Sequence, residues 1–170
     1  MDRTNMVSLL DIGPLLGLSE SKIVELGTGY SEITEDWGPD TGQKHYVNMK
    51  NSSNSVKGYA FSMSPERDFL SDEVQEATNH LLKTFPTGTD CETFYYRFFK
   101  SDLTGKSGDC IKVPVTVCPS SVGGAGGDDL TATIQINGNG DVQLGTITIG
   151  ETFTWAEKVE AASVNTQKSK

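Results

Sequence analysis

No apolar run in the 170 residues approaches the roughly 20 that a membrane helix needs, so a helical membrane span is not expected. The most apolar stretch, Met6–Leu18, holds Val7, Leu9, Leu10, Ile12, Leu15, Leu16 and Leu18. Asp11, Gly13 and Pro14 interrupt it, and no basic cluster precedes it. A secretory leader has a longer unbroken apolar core and a cleavage site of small residues. The expectation is a chain that starts in the cytoplasm, with residues 1–20 as an arm that docks Leu9, Leu10, Leu15 and Leu16 on a neighbour. Cysteine is scarce: Cys91, Cys110 and Cys118 are odd in number and contain no C-x-x-C. They read as reduced, structural thiols rather than a disulfide or metal set.

Positive charge is also short. Fourteen Lys and Arg stand against 23 Asp and Glu, for a formal net charge of −9. Affinity for DNA comes mainly from Lys and Arg neutralising phosphates, so this balance repels nucleic acid. Such a surface is useful where DNA must pass without sticking.

Catalytic motifs are missing as well. His45 and His80 are the only histidines, and neither sits in H-E-x-x-H or another metal spacing. No G-x-S-x-G provides a nucleophile elbow. Gly105-Lys106-Ser107 ends like a phosphate loop, but Lys100 stands where the first glycine belongs and a strand follows, so it reads as a turn. Gly123–Gly127 precedes Asp128, Asp129 and a strand, which offers no positive helix end to a phosphate. Asn51-Ser52-Ser53 matches a glycosylation sequon and reads as a polar loop tip. The carboxylates Glu32, Glu35, Asp36 and Asp40 lie among polar residues and read as a solvated acidic surface rather than an acid/base pair. The expectation is no enzyme, no cofactor and no metal.

Turn residues and short alternating segments are plentiful, with 18 glycines and 35% hydrophobic residues. Strands are predicted over Lys22–Asp36, with a bend, and over Gln43–Lys50, with a turn at Gly38–Gly42 between them. The polar tip Asn51–Ser55 has no means of burying itself. Val56–Ser64 reads as one strand, with Tyr59, Phe61 and Met63 on one face and Gly58, Ala60 and Ser62 on the other. One helix is predicted over about Asp72–Thr84, capped by Ser71. Its packing face is Val74, Ala77, Leu81 and Leu82, its outer face Gln75, Glu76, Asn79 and Lys83, and Pro86 and Gly88 stop it. Strands return at Glu92–Lys100, Cys110–Cys118, Leu130–Asn137, Val142–Ile149 and Thr152–Trp155. Gly138-Asn139-Gly140-Asp141 is expected to be a hairpin turn. Strands, one helix, then strands imply an α+β, mainly β domain: a sandwich or barrel over residues 21–157 with one packed helix. A polar tail covers 158–170.

The run KIVELGTGYSEITEDWGPDTGQKHYV, the polar tip, SVKGYAFSMSPERD, FPTGTD after the helix, GGAGGDDL, INGNGDVQLGTITI and the closing TFTW resemble major tail tube proteins of long-tailed phages of Gram-positive bacteria. The resemblance covers about Ile23 to Trp155. It implies a structural virion protein whose hexameric rings stack into a tube, with strands shared in a ring barrel and DNA delivered through the lumen. It implies assembly in the host cytoplasm, residence in the virion tail, and contacts with tail terminator, tape-measure and distal-tail proteins. Gly58, Ala60 and Ser62 are then candidates for the lumen wall, Glu32, Glu35, Asp36 and Asp40 for its rim. Asn51, Ser52, Ser53 and Asn54 are candidates for a loop that orders on a neighbouring subunit. The alternatives are the inner tube of a contractile tail or injection device, and a monomeric ligand-binding β-sandwich using Tyr95, Tyr96, Phe98 and Phe99 as its surface.

Overall fold

The structure, a computed structural model, describes residues 1–158; all but the first residue of the expected polar tail lies outside them. In chain order the elements are β1 (Met6–Asp11), β2 (Ile23–Glu25), β3 (Pro39–Lys44), β4 (Ser53–Tyr59), β5 (Ser62–Met63), β6 (Glu66–Asp68) and α1 (Glu73–Thr84). Then follow β7 (Glu92–Thr104), β8 (Ser107–Gly123), β9 (Thr131–Gly138), β10 (Gln143–Ile149) and β11 (Phe153–Glu157). The mainly β, one-helix architecture expected from the sequence is present.

Nine strands form one antiparallel sheet, with β11, β10, β8, β7, β1 and β2 as neighbours in that order. β2 comes up against β11, so this part of the sheet rolls towards closure. Both faces are covered. Along β7, Tyr95 enters one core with Leu10, Val113 and Val115, while Tyr96 and Phe98 enter a second with Val7, Leu9 and Ile147. Alternate residues point to opposite faces, so a strand buried on both sides shows no regular apolar/polar alternation. This corrects the arm. Residues 6–11 form a central strand, with Leu9 opposite both Glu25 and Tyr96, and Leu9, Leu10 and Leu15 are buried in the chain's own cores. Leu16 is half-buried against them. The polar breaks shape the return to β2: the buried Asp11 carboxylate accepts from the Gly13 and Lys22 amides at 3.0 and 2.8 Å. A Cβ on Gly13 would stand 2.1 Å from the Glu20 carbonyl oxygen, so glycine is required there.

β7 and β8 form a hairpin through Gly105-Lys106, with Gly105 at φ 67°, as the turn reading required. The second expected hairpin does not exist. β9 pairs with Val115–Gly123 of β8, and β10 pairs with Ser107–Lys112 on the same edge. The chain runs on from β9 to β10 in one direction, with Asn139–Val142 as a jog. Pro114 lies opposite that jog and has no N–H to give a ladder. Its carbonyl accepts from Asn139, and pairing then lapses until Gln143 meets Lys112.

Helix α1 lies on the first face of the sheet. Its N-cap is Asp72, not Ser71, with the carboxylate accepting from the Gln75 amide at 2.9 Å. Val74, Ala77 and Leu81 are buried as expected, and Leu82 is half-buried. Gln75, expected outside, is buried, because the buried Arg67 of β6 offers it a guanidinium donor at 3.5 Å and ion-pairs with Asp72. Leu81 is only 1% exposed, so Leu81→Asp, which places an unpaired charge in the core, should cost about 3–5 kcal/mol and show as a lost cooperative melt by circular dichroism. Deleting residues 1–18 removes β1 from between β7 and β2, with Val7, Leu9, Leu10 and Leu15 from both cores, and should abolish the folded β spectrum altogether. A truncated chain that still melts cooperatively would contradict this placement.

Candidate assembly surface

β3 and β4 form a two-stranded sheet of their own, joined by residues 45–52. No residue of either strand is buried. The Gly38–Gly42 stretch expected to be a turn is mostly strand here, and the turn lies farther on. Asn51 and Ser52 sit in the tip, and Ser53 and Asn54 pair with Lys44 and Gln43; all four are exposed. Tyr46 and Met49 are also exposed, and Val47 fully so. A lone hairpin is marginally stable in water. This one therefore depends on its base.

The base is an aromatic stack. Trp37, just before β3, packs on Phe61, just after β4, with ring centroids 4.8 Å apart, and Phe61 stacks on Tyr95 of β7 at 5.4 Å. Under it lies Glu35, whose side chain is only 6% exposed. Its carboxylate accepts from the Tyr95 hydroxyl at 2.7 Å and from the Trp37 indole N–H at 3.0 Å. The Arg97 guanidinium stands 3.6 Å away, an ion pair without hydrogen-bond contact. The Tyr95 oxygen is also 3.0 Å from the Ser8 hydroxyl, which donates to it once the phenolic proton is spent on Glu35. Burial, with the Glu35 charge beside it, pushes the Tyr95 phenol far above its ordinary value, so it stays a donor.

The sequence placed Glu35 with Glu32, Asp36 and Asp40 on a solvated surface. That fails for Glu35 and holds for the others. Glu32 accepts from Thr34, and Asp36 accepts from the Gly38 amide at 2.9 Å; Asp40 is exposed in β3. The single strand expected over Val56–Ser64 is broken at Ala60–Phe61. Gly58 is the next-to-last residue of β4, Ala60 lies in the break with its amide on the Trp37 carbonyl, and Ser62 begins β5. The alternation survives for Phe61 and Met63, which are buried, but Tyr59 is 68% exposed because the hairpin has left the core by then. The four aromatics expected as the surface of a ligand-binding sandwich do not form one: Tyr95, Tyr96 and Phe98 are core residues, and Phe99 is half-buried with Arg97 over its ring. Among the described residues no group of three or more His, Cys, Asp or Glu could hold a metal.

Sequence reasoning missed the base of the hairpin. Its signal was the pair of aromatics, Trp37 and Phe61, flanking a polar stretch, but their partner Tyr95 lies far along the chain. Glu35→Ala strips the hydrogen-bond acceptor from two buried donors and leaves the Arg97 charge unpaired, so about 3–5 kcal/mol should be lost in urea unfolding. Glu35→Gln keeps an acceptor oxygen and should cost less, about 1–3 kcal/mol. Equal losses for the two variants would deny the carboxylate its role.

No protein-family model matches the sequence, and no curated protein matches it. The fold does match solved structures. A chain from the tail of an empty gene transfer agent particle, with C6 symmetry, superposes at a TM-score of 0.60 and 10% identity, over 84% of this chain and 96% of that one. A chain from the virion of the native gene transfer agent particle gives 0.58 at 9% identity, over 85% and 98%. A chain from the PVC extracellular contractile injection system, in a sheath/tube terminator structure in the extended state, gives 0.50 at 9% identity, over 85% and 95%. At these identities the likeness is one of fold, and over most of its length this chain has the architecture of proteins from tail and injection particles.

Proposed function

We propose that this protein is the repeating subunit of a hollow tail tube, in which hexameric rings stack and DNA passes to the host without specific contacts. The observation that carries the proposal is the near end-to-end fold match to a chain of a C6-symmetric tail. The unpartnered β3–β4 hairpin supports it, because a polar two-stranded sheet held only at its base is suited to pairing outside its own chain. Closing copies into a ring would also cover free strand edges. Tail terminator, tape-measure and distal-tail proteins are the partners such a tube needs at its ends and within it. The protein is then assembled in the cytoplasm and resides in the virion tail.

The likeness to long-tailed phages of Gram-positive bacteria rests on the sequence runs quoted above. The inner tube of a contractile device is the second reading, favoured by the likeness to the PVC chain at a TM-score of 0.50. A sheath gene beside this one would select it.

Glu32, Asp36 and Asp40 remain candidates for the lumen rim, with Gly58, Ala60 and Ser62 on the wall. A charge of −9 per subunit gives six subunits a formal −54, and an acidic wall keeps phosphates off it. Purified protein should form rings or tubes by electron microscopy. Glu32→Lys with Asp40→Lys should leave tail length unchanged and slow DNA ejection. Normal ejection from normal-length tails would remove these carboxylates from the lumen, and a monomer at high concentration with no rings or tubes would overturn the tube itself.

A further inference from the structure

The hairpin differs from the rest of the molecule in charge. From Thr41 to Pro65 the sequence has no Asp or Glu and three lysines, Lys44, Lys50 and Lys57. The chain's −9 is therefore +3 over Thr41–Pro65 and −12 elsewhere; the whole hairpin, Pro39–Tyr59, adds Asp40 at its base and carries +2. At the tip the basic residues flank an apolar centre: Lys44 and Lys50 stand on either side of Tyr46, Val47 and Met49, all three exposed. A surface with the opposite pattern lies on the same chain. Over residues 66–76 fall five acids, Glu66, Asp68, Asp72, Glu73 and Glu76, and beside the last three runs a groove of about 660 Å³. Leu16 and the part-exposed Leu70 supply its apolar lining. Its acids are Asp72, paired with Arg67, Glu73, paired at the surface with Lys22 at 2.9 Å, and Glu76, unpaired among the described residues; Lys83 and His80 lie farther along it.

We infer that the hairpin tip of one copy docks in this acidic groove of a second copy, with Tyr46, Val47 and Met49 towards Leu16 and Leu70 and the lysines towards Glu73 and Glu76. This inference rests on the tube reading and names the contact that would join its subunits. Several observations meet here. The tip is apolar and uncovered, and the groove offers it an apolar lining, the carboxylate of Glu76, and Glu73, whose exposed pair with Lys22 is weak enough to be exchanged for a tip lysine. The two surfaces also differ, so the contact is head-to-tail. Such a contact propagates into a ring or a filament rather than closing as a two-fold dimer. Opposite charges across the interface also give the encounter its register and suppress like-to-like approach.

The test is a charge-swap cycle on the full chain, with assembly followed by sedimentation and negative-stain microscopy, and folding checked by circular dichroism. Lys44→Glu with Lys50→Glu should raise the concentration needed for assembly about tenfold or more, as should Glu73→Lys with Glu76→Lys. All four substitutions together restore opposite signs and should recover assembly. Lys44→Gln with Lys50→Gln should weaken assembly less than the reversal, and salt should weaken the wild type. Wild-type tubes together with folded reversal variants that assemble unchanged, or a fourfold variant that is not rescued, would overturn this contact and leave the tube reading standing. Loss of duplex DNA binding on Lys44→Glu with Lys50→Glu, without a change in assembly, would assign the lysines to DNA and overturn it too. A wild type that never assembles would overturn both.

Discussion

The buried carboxylate of Glu35 stands where a mostly polar loop has to be held against the sheet. Residues 26–38 contribute little apolar surface: Leu26 and Ile33 are buried, and Tyr30 and Trp37 pack beside them. The rest is small or polar, so hydrogen bonds fix the path. Asp36 and Ser62 exchange backbone bonds at 2.9 and 2.7 Å, the Asp68 amide donates to Gly29, and Glu35 takes the hydroxyl of Tyr95 from below. A carboxylate out of water is costly unless its partners are fixed. Here they are, because Tyr95 belongs to a strand that is itself in the sheet centre. The direction in which the hairpin leaves the body therefore follows from one polar contact and the Trp37–Phe61–Tyr95 stack above it.

That contact is only as rigid as β7, and β7 is rigid because both its faces are packed. β8 beside it buries Val113, Val115 and Val117 on one face and carries two strands along its far edge, β9 and β10. Pro114 divides that edge. The result is a sheet whose two ends do different work: one rolls through β10 and β11 towards β2, and the other carries β9, β5 and β6, while the helix packs on β8 and on Pro14–Leu16. Arg67 joins the second end to the helix N-terminus through Asp72 and Gln75. Burial raises the pKa of the Tyr30 phenol to about 12, against the opposing pull of the Arg67 guanidinium that stands over its ring.

Local patterns made part of this legible. The helix follows from the spacing of Val74, Ala77 and Leu81, and the β7–β8 hairpin from aromatics, a glycine turn and valines in succession. What failed depended on partners distant in sequence. Met6–Asp11 reads as an apolar arm because a strand buried on both faces has no alternation to show. Gly138–Asp141 has the composition of a hairpin turn, yet whether the chain turns back is decided by a free edge on β8 and a proline 24 residues earlier. Glu35 is surrounded by polar neighbours and reads as solvated, while the hydroxyl that buries it lies 60 residues on. The exposed carboxylates and the exposed polar tip were legible because solvation needs no partner.

The same distinction bears on assembly. In the proposed tube, copies that each carry −9 would repel one another, and the repulsion would grow as a ring closes. Apolar contact alone would have to exceed it, and the large apolar side chains of the described residues are mostly spent in the two cores. An interface can instead place opposite charge where copies meet and leave like charge on the remaining surfaces. A hairpin with three lysines and one acid, net +2, on a −11 body does this. It also keeps the free subunit soluble, since the tip's three apolar side chains sit among lysines, asparagines and serines that favour water. Ordering such a hairpin costs entropy only when it docks. The base at Glu35 lowers that cost beforehand by fixing where the hairpin starts, so that only the tip remains to be ordered by a neighbour.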